Sequence, residues 1–407
     1  MNKLYLFFGE ELVGCIEKTP KGLRFSYDAS WKKFALSPNF TDFEKIYESH
    51  EVTPFFENLL PEGRVRKSIE SIEQLESDDP FSFLENHGED LIGAFEVRKS
   101  IDYQGAKLIP QKKQITSQEL YEIFKKDNGV INYWKSNKGI DFSIPGAQEK
   151  CSIYYNRKKI YFYKNMSSNY IVKGPHHVLN FPNSSVFNEF FCLKLADSIG
   201  LGVVDCEIVG DINSPLLFVK RYDRNKGEKI HQIDFLQASL LPSKYKYEKN
   251  GGPTLKELYA LLIEVSCDGK DRIRFLDWLI FNILIGNNDS HAKNLGFIVT
   301  DRGYRLTPFY DLISTAIYVK EGIAKNFAFK LNGQSDAKKF TSKHFHWLEG
   351  ELGLNKGYIL KRAKTHIIPR ILKSLVKVQD KFEESFGKNK TIDEIVEYIH
   401  KRINFLE

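Results

Sequence analysis

The sequence predicts an α+β chain in which a strand-rich half is followed by a mostly helical half, and three observations lead there. Short segments rich in Val, Ile, Tyr and Phe recur between turn residues as far as Arg224, then give way to helical periodicity. Segment 275–285 is apolar almost all round, as a buried helix is, and Gly286 suits the left-handed cap that ends one. Directly behind that cap stands a dense polar run, Asn287-Asn288-Asp289-Ser290-His291-Ala292-Lys293-Asn294, followed by a stretch, 296–306, that reads as a hairpin.

Taken in order, LYLFFG and LVGCIEK read as strands. Segment 40–51 (FTDFEKIYESHE) and the stretch after FFENLLPEG read as helices, and segment 90–97 (DLIGAFEV) as a further strand. These make an N-terminal α+β subdomain, 1–105, with Phe55, Phe56, Leu59 and Leu60 expected in its core. A helix at 118–126 opens a β-rich part, 106–224. There CSIYY and IYFYK flank Asn156-Arg157-Lys158-Lys159 as a hairpin, and NYIVKG adds a strand. An amphipathic helix, 186–199, stops at Gly200, and CEIVG and LLFVKRYD are two more strands. The remainder, 225–407, is helical apart from the hairpin, with a loop at 387–390 before a last helix.

At 407 residues the chain buries substantial cores, in roughly two or three domains. A net charge of +6, from 59 basic and 53 acidic residues, permits contact with nucleic acid without requiring it. The N-terminus shows no apolar core followed by a small-residue cleavage site, and no apolar run reaches membrane-spanning length. Five scattered cysteines without metal spacing read as reduced thiols. The expected setting is the cytoplasm, with no membrane partner.

Asp289 and Asn294 stand five positions apart, the D-x-x-x-x-N spacing of a kinase catalytic loop. There the Asp handles the acceptor hydroxyl and the Asn holds Mg2+, joined by a later Asp. Asp311, in Pro308-Phe309-Tyr310-Asp311, is that later carboxylate. Taken alone, Asn, Asp and Ser after a Gly make a turn; the ordered ensemble points to phosphoryl transfer. Upstream, Ser143-Ile144-Pro145-Gly146-Ala147-Gln148-Glu149-Lys150 offers backbone N–H groups and a lysine to phosphate oxygens, or is a turn entering a hairpin. Lys173 ends a strand where a kinase carries its phosphate-binding lysine, or is a solvated edge residue. Glu189, on the next helix, either pairs with Lys173 or stands exposed. Arg221-Tyr222-Asp223-Arg224 closes the β-rich half and would be a hinge whose main chain meets adenine.

Together these residues resemble the HipA-family toxin serine/threonine kinases of bacterial toxin–antitoxin systems. The resemblance covers nearly the whole chain. It runs through the stretch Pro54-Phe55-Phe56-Glu57-Asn58-Leu59-Leu60-Pro61-Glu62-Gly63, then Ile92-Gly93-Ala94, segment 143–150, Ile171-Val172-Lys173 and Asn188-Glu189. It continues with 221–224, Asn250-Gly251-Gly252-Pro253, 289–294 and 306–314. It implies a two-lobed protein-kinase-like fold with ATP and Mg2+ as cofactors. Asp289 is then the catalytic base, and Asn294 and Asp311 hold the metal; from their places in the loop, Lys293 would neutralise the transferring phosphate, and His291 either orients the base or is a structural hydrogen-bonded residue. Ile144, Gly146, Ala147, Gln148, Glu149, Lys150, Lys173, Lys220 and Tyr222 are the implied ATP-binding residues. Ser143 matches the serine that family kinases autophosphorylate, which would make the enzyme self-inactivating. The implied partners are a HipB-like helix-turn-helix antitoxin, operator DNA mainly through that antitoxin, and a protein substrate such as an aminoacyl-tRNA synthetase, with growth arrest as the outcome.

The sequence departs from parts of the pattern. His291 stands where ordinary protein kinases carry Lys, Lys220 where some family members carry Glu, and Tyr310-Asp311-Leu312 replaces D-F-G, so no activation-loop switch of that type is expected. Two alternatives stay open: a catalytically silent corepressor acting with an antitoxin on operator DNA, and a kinase for a lipid or small molecule. The basic stretch 356–377 is either a DNA-phosphate contact or a solvated helix face.

Overall fold

A computed structural model of the chain describes residues 2–101, 111–136, 148–164, 168–177, 179–225, 227–323 and 325–406. The chain opens with β1 (Lys3–Phe8), β2 (Glu11–Thr19), β3 (Gly22–Tyr27) and β4 (Ile46–Tyr47). Then come α1 (Ser49–Glu57), α2 (Gly63–Glu73), α3 (Pro80–His87) and β5 (Glu96–Arg98). Next are β6 (Gln111–Ile115), α4 (Ser117–Phe124), α5 (Gly129–Ser136), β7 (Lys150–Tyr155), β8 (Ile160–Lys164) and β9 (Tyr170–Lys173). They are followed by α6 (Ser184–Ser198), β10 (Cys206–Val209), β11 (Leu216–Lys220), β12 (Arg224–Asn225), β13 (Glu228–Lys229), β14 (Gln232–Asp234) and α7 (Phe235–Ala238). The rest is α8 (Leu255–Val265), α9 (Lys270–Ile285), β15 (Gly296–Thr300), β16 (Gly303–Leu306), α10 (Ser342–Glu351), α11 (Tyr358–Arg362), α12 (Ile368–Phe386) and α13 (Lys390–Leu406).

The chain forms two compact units. The first comprises Met1–Gly174, Phe218–Lys244 and Gly296–Val299; the second comprises Pro175–Leu217, Tyr245–Leu295 and Thr300–Glu407. The first unit holds an antiparallel sheet of order β4-β3-β2-β1-β5 and a second sheet whose strands in this unit run β11-β9-β7-β8-β6. Alternation of buried and half-exposed positions along β3 is what a sheet with one covered face requires. Phe55, Phe56, Leu59 and Leu60 are buried as expected. In the second unit α9 is the centre, buried along almost its whole length from Phe275 to Ile285 and packed by α8 and α13. Gly286, at φ 72°, closes it in the left-handed conformation that favours glycine. No helix among the described residues is long and apolar enough to cross a membrane.

Two expected elements differ. Segment 40–51 is not a helix: Ile46 and Tyr47 pair with Ser26 and Phe25 across β4–β3, and the helix begins only at Ser49, where Glu48 and Glu51 form a reciprocal cap. Cross-strand pairing of Tyr47 with Phe25 wins over the local apolar spacing. Segment 90–97 is a strand only at its end. Gly93 has a φ of 87°, outside the range of a regular extended strand, and its N–H donates to the Asp223 carboxylate at 3.0 Å. Asp90, Leu91 and Gly93 turn toward buried arginines rather than toward a neighbouring strand.

Candidate functional site

The polar loop behind α9 lies wholly in the second unit, and amides brace it. Asn282 is, with Asp277, one of two polar residues inside the apolar run. Fully buried, it donates to the Trp278 carbonyl at 2.8 Å and accepts from Asn287 Nδ2 at 2.8 Å. Asn287 Nδ2 also reaches the Asp311 carbonyl at 3.1 Å, so one side chain ties the helix end to the segment carrying the later carboxylate. Asp311 has a φ of 54°, a conformation that costs a non-glycine residue free energy and persists where surroundings enforce it. Asn294 Nδ2 donates to Asp311 Oδ2 at 3.2 Å, and Asn294 Oδ1 accepts the His291 N–H at 2.9 Å. The structure therefore brings together Asn294 and Asp311, seventeen positions apart in the chain. Asp289 stands on the same loop, its N–H donating to Asn287 Oδ1 at 3.2 Å and its carboxylate accepting from the Tyr247 hydroxyl. His291 and Lys293 are both buried, and the Lys293 carbonyl accepts from the Tyr310 hydroxyl at 2.8 Å.

The segment after Asp311 is held as firmly. Asn188, fully buried on α6, donates to the Ser314 carbonyl at 3.0 Å and accepts the Ser314 N–H at 2.8 Å, imitating a pair of strand hydrogen bonds. Its neighbour Glu189 is buried, not on an exposed helix face. Asp271, fully buried at the start of α9, accepts from the Leu306 N–H at 2.8 Å and from Arg305 Nε at 3.0 Å, fixing the end of the hairpin.

The candidate phosphate-binding residues belong to the first unit. Ser143, Ile144, Gly146 and Ala147 lie outside the described residues. Lys150 and Lys173 are directly opposite each other in the β7–β9 register, so their side chains share one face of the sheet. Lys173 is buried, not a solvated edge residue, because β9 lies between β11 and β7. Gln148 donates to the Gly174 carbonyl at 3.4 Å. The Glu149 carboxyl is buried beside the start of α5, and that burial pushes it up to about 7. Lys220 is exposed at the end of β11, and the Tyr222 hydroxyl donates to Gln232 Oε1 at 2.7 Å. Its neighbours Arg221, Asp223 and Arg224 point away into a buried cluster with Asp90. Arg221 Nη2 donates to Asp223 at 2.8 Å, Arg224 Nη1 to Asp223 at 2.8 Å and Arg224 Nη2 to Asp90 at 2.9 Å. Burial works to raise both carboxyls, but the two guanidinium charges outweigh it and hold Asp90 and Asp223 below the usual carboxylate range.

Sequence reasoning quoted Asn287 and Asn188 but gave neither a role, and it gave none to Asn282 or Tyr247. An Asn inside an otherwise apolar helix was a legible signal, since a buried amide needs partners. Tyr247 carried no signal beyond its nearness to Asn250-Gly251-Gly252-Pro253.

The HipA-like C-terminal domain family matches residues 142–384, and the HipA N-terminal domain family matches residues 4–98. The chain is similar to the serine/threonine-protein kinase toxin HipA of Shewanella oneidensis. The two are 27% identical over 403 residues, covering 92% of this chain and 89% of that protein. It is also similar to Y4mE of Sinorhizobium fredii, a protein designated a kinase, at 29% identity over 336 residues, 77% of this chain and 78% of the other. Among solved structures, the complex of Shewanella oneidensis MR-1 HipA, HipB and operator DNA matches with a TM-score of 0.80 at 23% identity, covering 99% of this chain and 96% of that chain. The expected α+β, kinase-like fold class is therefore the fold of the HipA structure.

Proposed function

This chain belongs to the HipA family, whose C-terminal domain matches residues 142–384, and from that premise we propose that it is a serine/threonine-protein kinase toxin of a toxin–antitoxin system. The observation that carries the reading is the joined pair Asn294–Asp311 beside Asp289 on one braced loop. ATP supplies the transferable phosphoryl group, and Mg2+ offsets its charge. The residue types fit that ion: an amide oxygen and a carboxylate are hard ligands, the two side chains meet through Asn294 Nδ2, and Mg2+ typically keeps water in the rest of its shell. Among the described residues no group of three or more His, Cys, Asp or Glu gathers as an alternative metal cluster. Asn294 and Asp311 would hold the ion. The Asp289 carboxylate accepts the proton of the acceptor hydroxyl, with His291 orienting the loop and Lys293 supplying positive charge. Lys150 and Lys173, with the Gly146 loop and Gln148, would hold the phosphates, and the main chain around Lys220 and Tyr222 would meet adenine.

Ser143 is the proposed autophosphorylation site. A phosphate there adds about −1.5 to −2 charges at neutral pH, which repels the triphosphate and silences the enzyme. The proposed setting is the cytoplasm. The partners are a HipB-like antitoxin that links the chain to operator DNA, and a translation component such as an aminoacyl-tRNA synthetase as acceptor; the solved HipA–HipB–DNA complex supports the first of these. Intact and peptide mass spectrometry after incubation with Mg-ATP tests the reading. Phosphate on Ser143 in the wild type and a far slower appearance of it in Asp289→Asn are expected. A wild type with unmodified Ser143 that binds no Mg-ATP sinks the proposal in favour of a silent corepressor.

A further inference from the structure

The Asn250-Gly251-Gly252-Pro253 motif has no part in the chemistry above, yet the loop it closes reaches the candidate base. We infer that Tyr247 is the positioning residue for Asp289, and that the Gly-Gly turn exists to hold its hydroxyl there; the inference rests on the kinase reading. The Tyr247 hydroxyl donates to Asp289 Oδ1, and among the described residues the other carboxylate oxygen has no hydrogen-bond partner. A carboxylate clamped through one oxygen cannot rotate freely, and the second oxygen is left to meet an acceptor hydroxyl. The tyrosine ring stands edge-on to His291, with centroids 5.1 Å apart and planes at 83°, so the same residue also fixes the ring two positions on.

The arm that carries Tyr247 is anchored, not hinged. The Lys246 carbonyl accepts the Ala292 N–H at 3.3 Å, tying the arm to the catalytic loop itself. The Tyr247 carbonyl accepts the N–H groups of Asn250 at 3.0 Å and Gly252 at 3.1 Å, which closes the turn. Gly251 caps it at φ 88°, and any side chain at Gly252 would run into the Tyr245 carbonyl. Glu248 Oε2 accepts the Lys330 N–H at 2.8 Å, and α8 starts at once after the turn with the Thr254–Glu257 capping box. Hydrogen bonds on both sides of Tyr247 make this a rigid strut; a lid would be free on one side.

The test uses the full chain and single-turnover phosphate incorporation from Mg-ATP, with binding of a non-hydrolysable ATP analogue and thermal unfolding measured in parallel. Tyr247→Phe should slow incorporation about tenfold to a hundredfold, the loss of one hydrogen bond to a charged group, with analogue affinity and melting temperature unchanged. Gly252→Val, which keeps the tyrosine hydroxyl but disturbs the turn that positions it, should lose rate to a similar degree. In an Asp289→Asn background Tyr247→Phe should add nothing, because residues that act as one unit are non-additive. An unchanged or faster Tyr247→Phe, or a further loss in the Asp289→Asn background, overturns the assignment. A wild type that binds no analogue overturns the kinase reading beneath it, a result distinct from either.

Discussion

A buried polar cluster in the first unit and one in the second are built on opposite principles. In the first, Asp90 and Asp223 face Arg221 and Arg224, two charges of each sign, and the paired side chains are no more than 5% exposed. The charges cancel within the cluster, so it is closed chemically and can only stabilise or specify structure. In the second, the neutral amides Asn282, Asn287 and Asn294 brace Asp311, and the loop they shape carries Asp289. In the first cluster arginines anchor the carboxylates, and in the second amides position both the main chain and the side chain of Asp311.

Exchanging one cluster's residues should therefore change what the other's do not. The largest effect falls on chemistry. Asp289→Asn should lower phosphate incorporation by roughly two to four orders of magnitude, the usual contribution of a positioned base, while leaving the melting temperature in place. A variant that unfolds instead would put Asp289 in the structural class. Next comes Asp90→Ala, which leaves Arg221 and Arg224 short of a partner in a buried site; chemical denaturation should register a loss of about 3–5 kcal/mol. A loss below about 1 kcal/mol, the size expected of an exposed pair, would show that the cluster is not closed.

A third prediction concerns pH. Burial lowers His231 to about 4 from 6.5, and its Nε2–H donates to the Leu36 carbonyl at 2.9 Å. The unfolded chain takes up this proton first, so the neutral imidazole contributes stability in full above about 6.5, and it is lost as pH falls toward 4. The slope amounts to about 3 kcal/mol across that window. Glu149, raised to about 7, has the opposite sign: its contribution is complete below the unfolded value of 4.5 and is lost as pH rises through 7. Unfolding of His231→Gln and Glu149→Gln between pH 4 and 8 should flatten the first slope and the second respectively. Equal slopes in both variants and the wild type would contradict the assignment. The smallest effect is expected for Asn287→Ala, about 1–3 kcal/mol from unmaking buried hydrogen bonds. It should also slow phosphate incorporation, because Asp311 loses its tie to α9.

Much of the fold was legible because it rests on local signals. The apolar run and Gly286 place α9 and its cap, the stop at Gly200 ends the helix before it, and short runs rich in Ile, Tyr, Val and Phe place β7, β8 and β9. The misreadings at 40–51 and 90–97 share a cause. In each, a partner distant in sequence, Phe25 in one case and Asp223 in the other, decides the backbone against the local pattern.

For the candidate site the division is similar. By itself the sequence determined which residues could act: Asp289, Asn294 and Asp311 carry their chemistry in their identity and spacing, and the HipA family follows from their order. Only the tertiary structure decided what holds them. The contact of Tyr247 with Asp289 spans 42 positions and that of Asn188 with Ser314 spans 126. A hydrogen bond depends on where atoms lie in space, and chain spacing encodes that only within an element's own period.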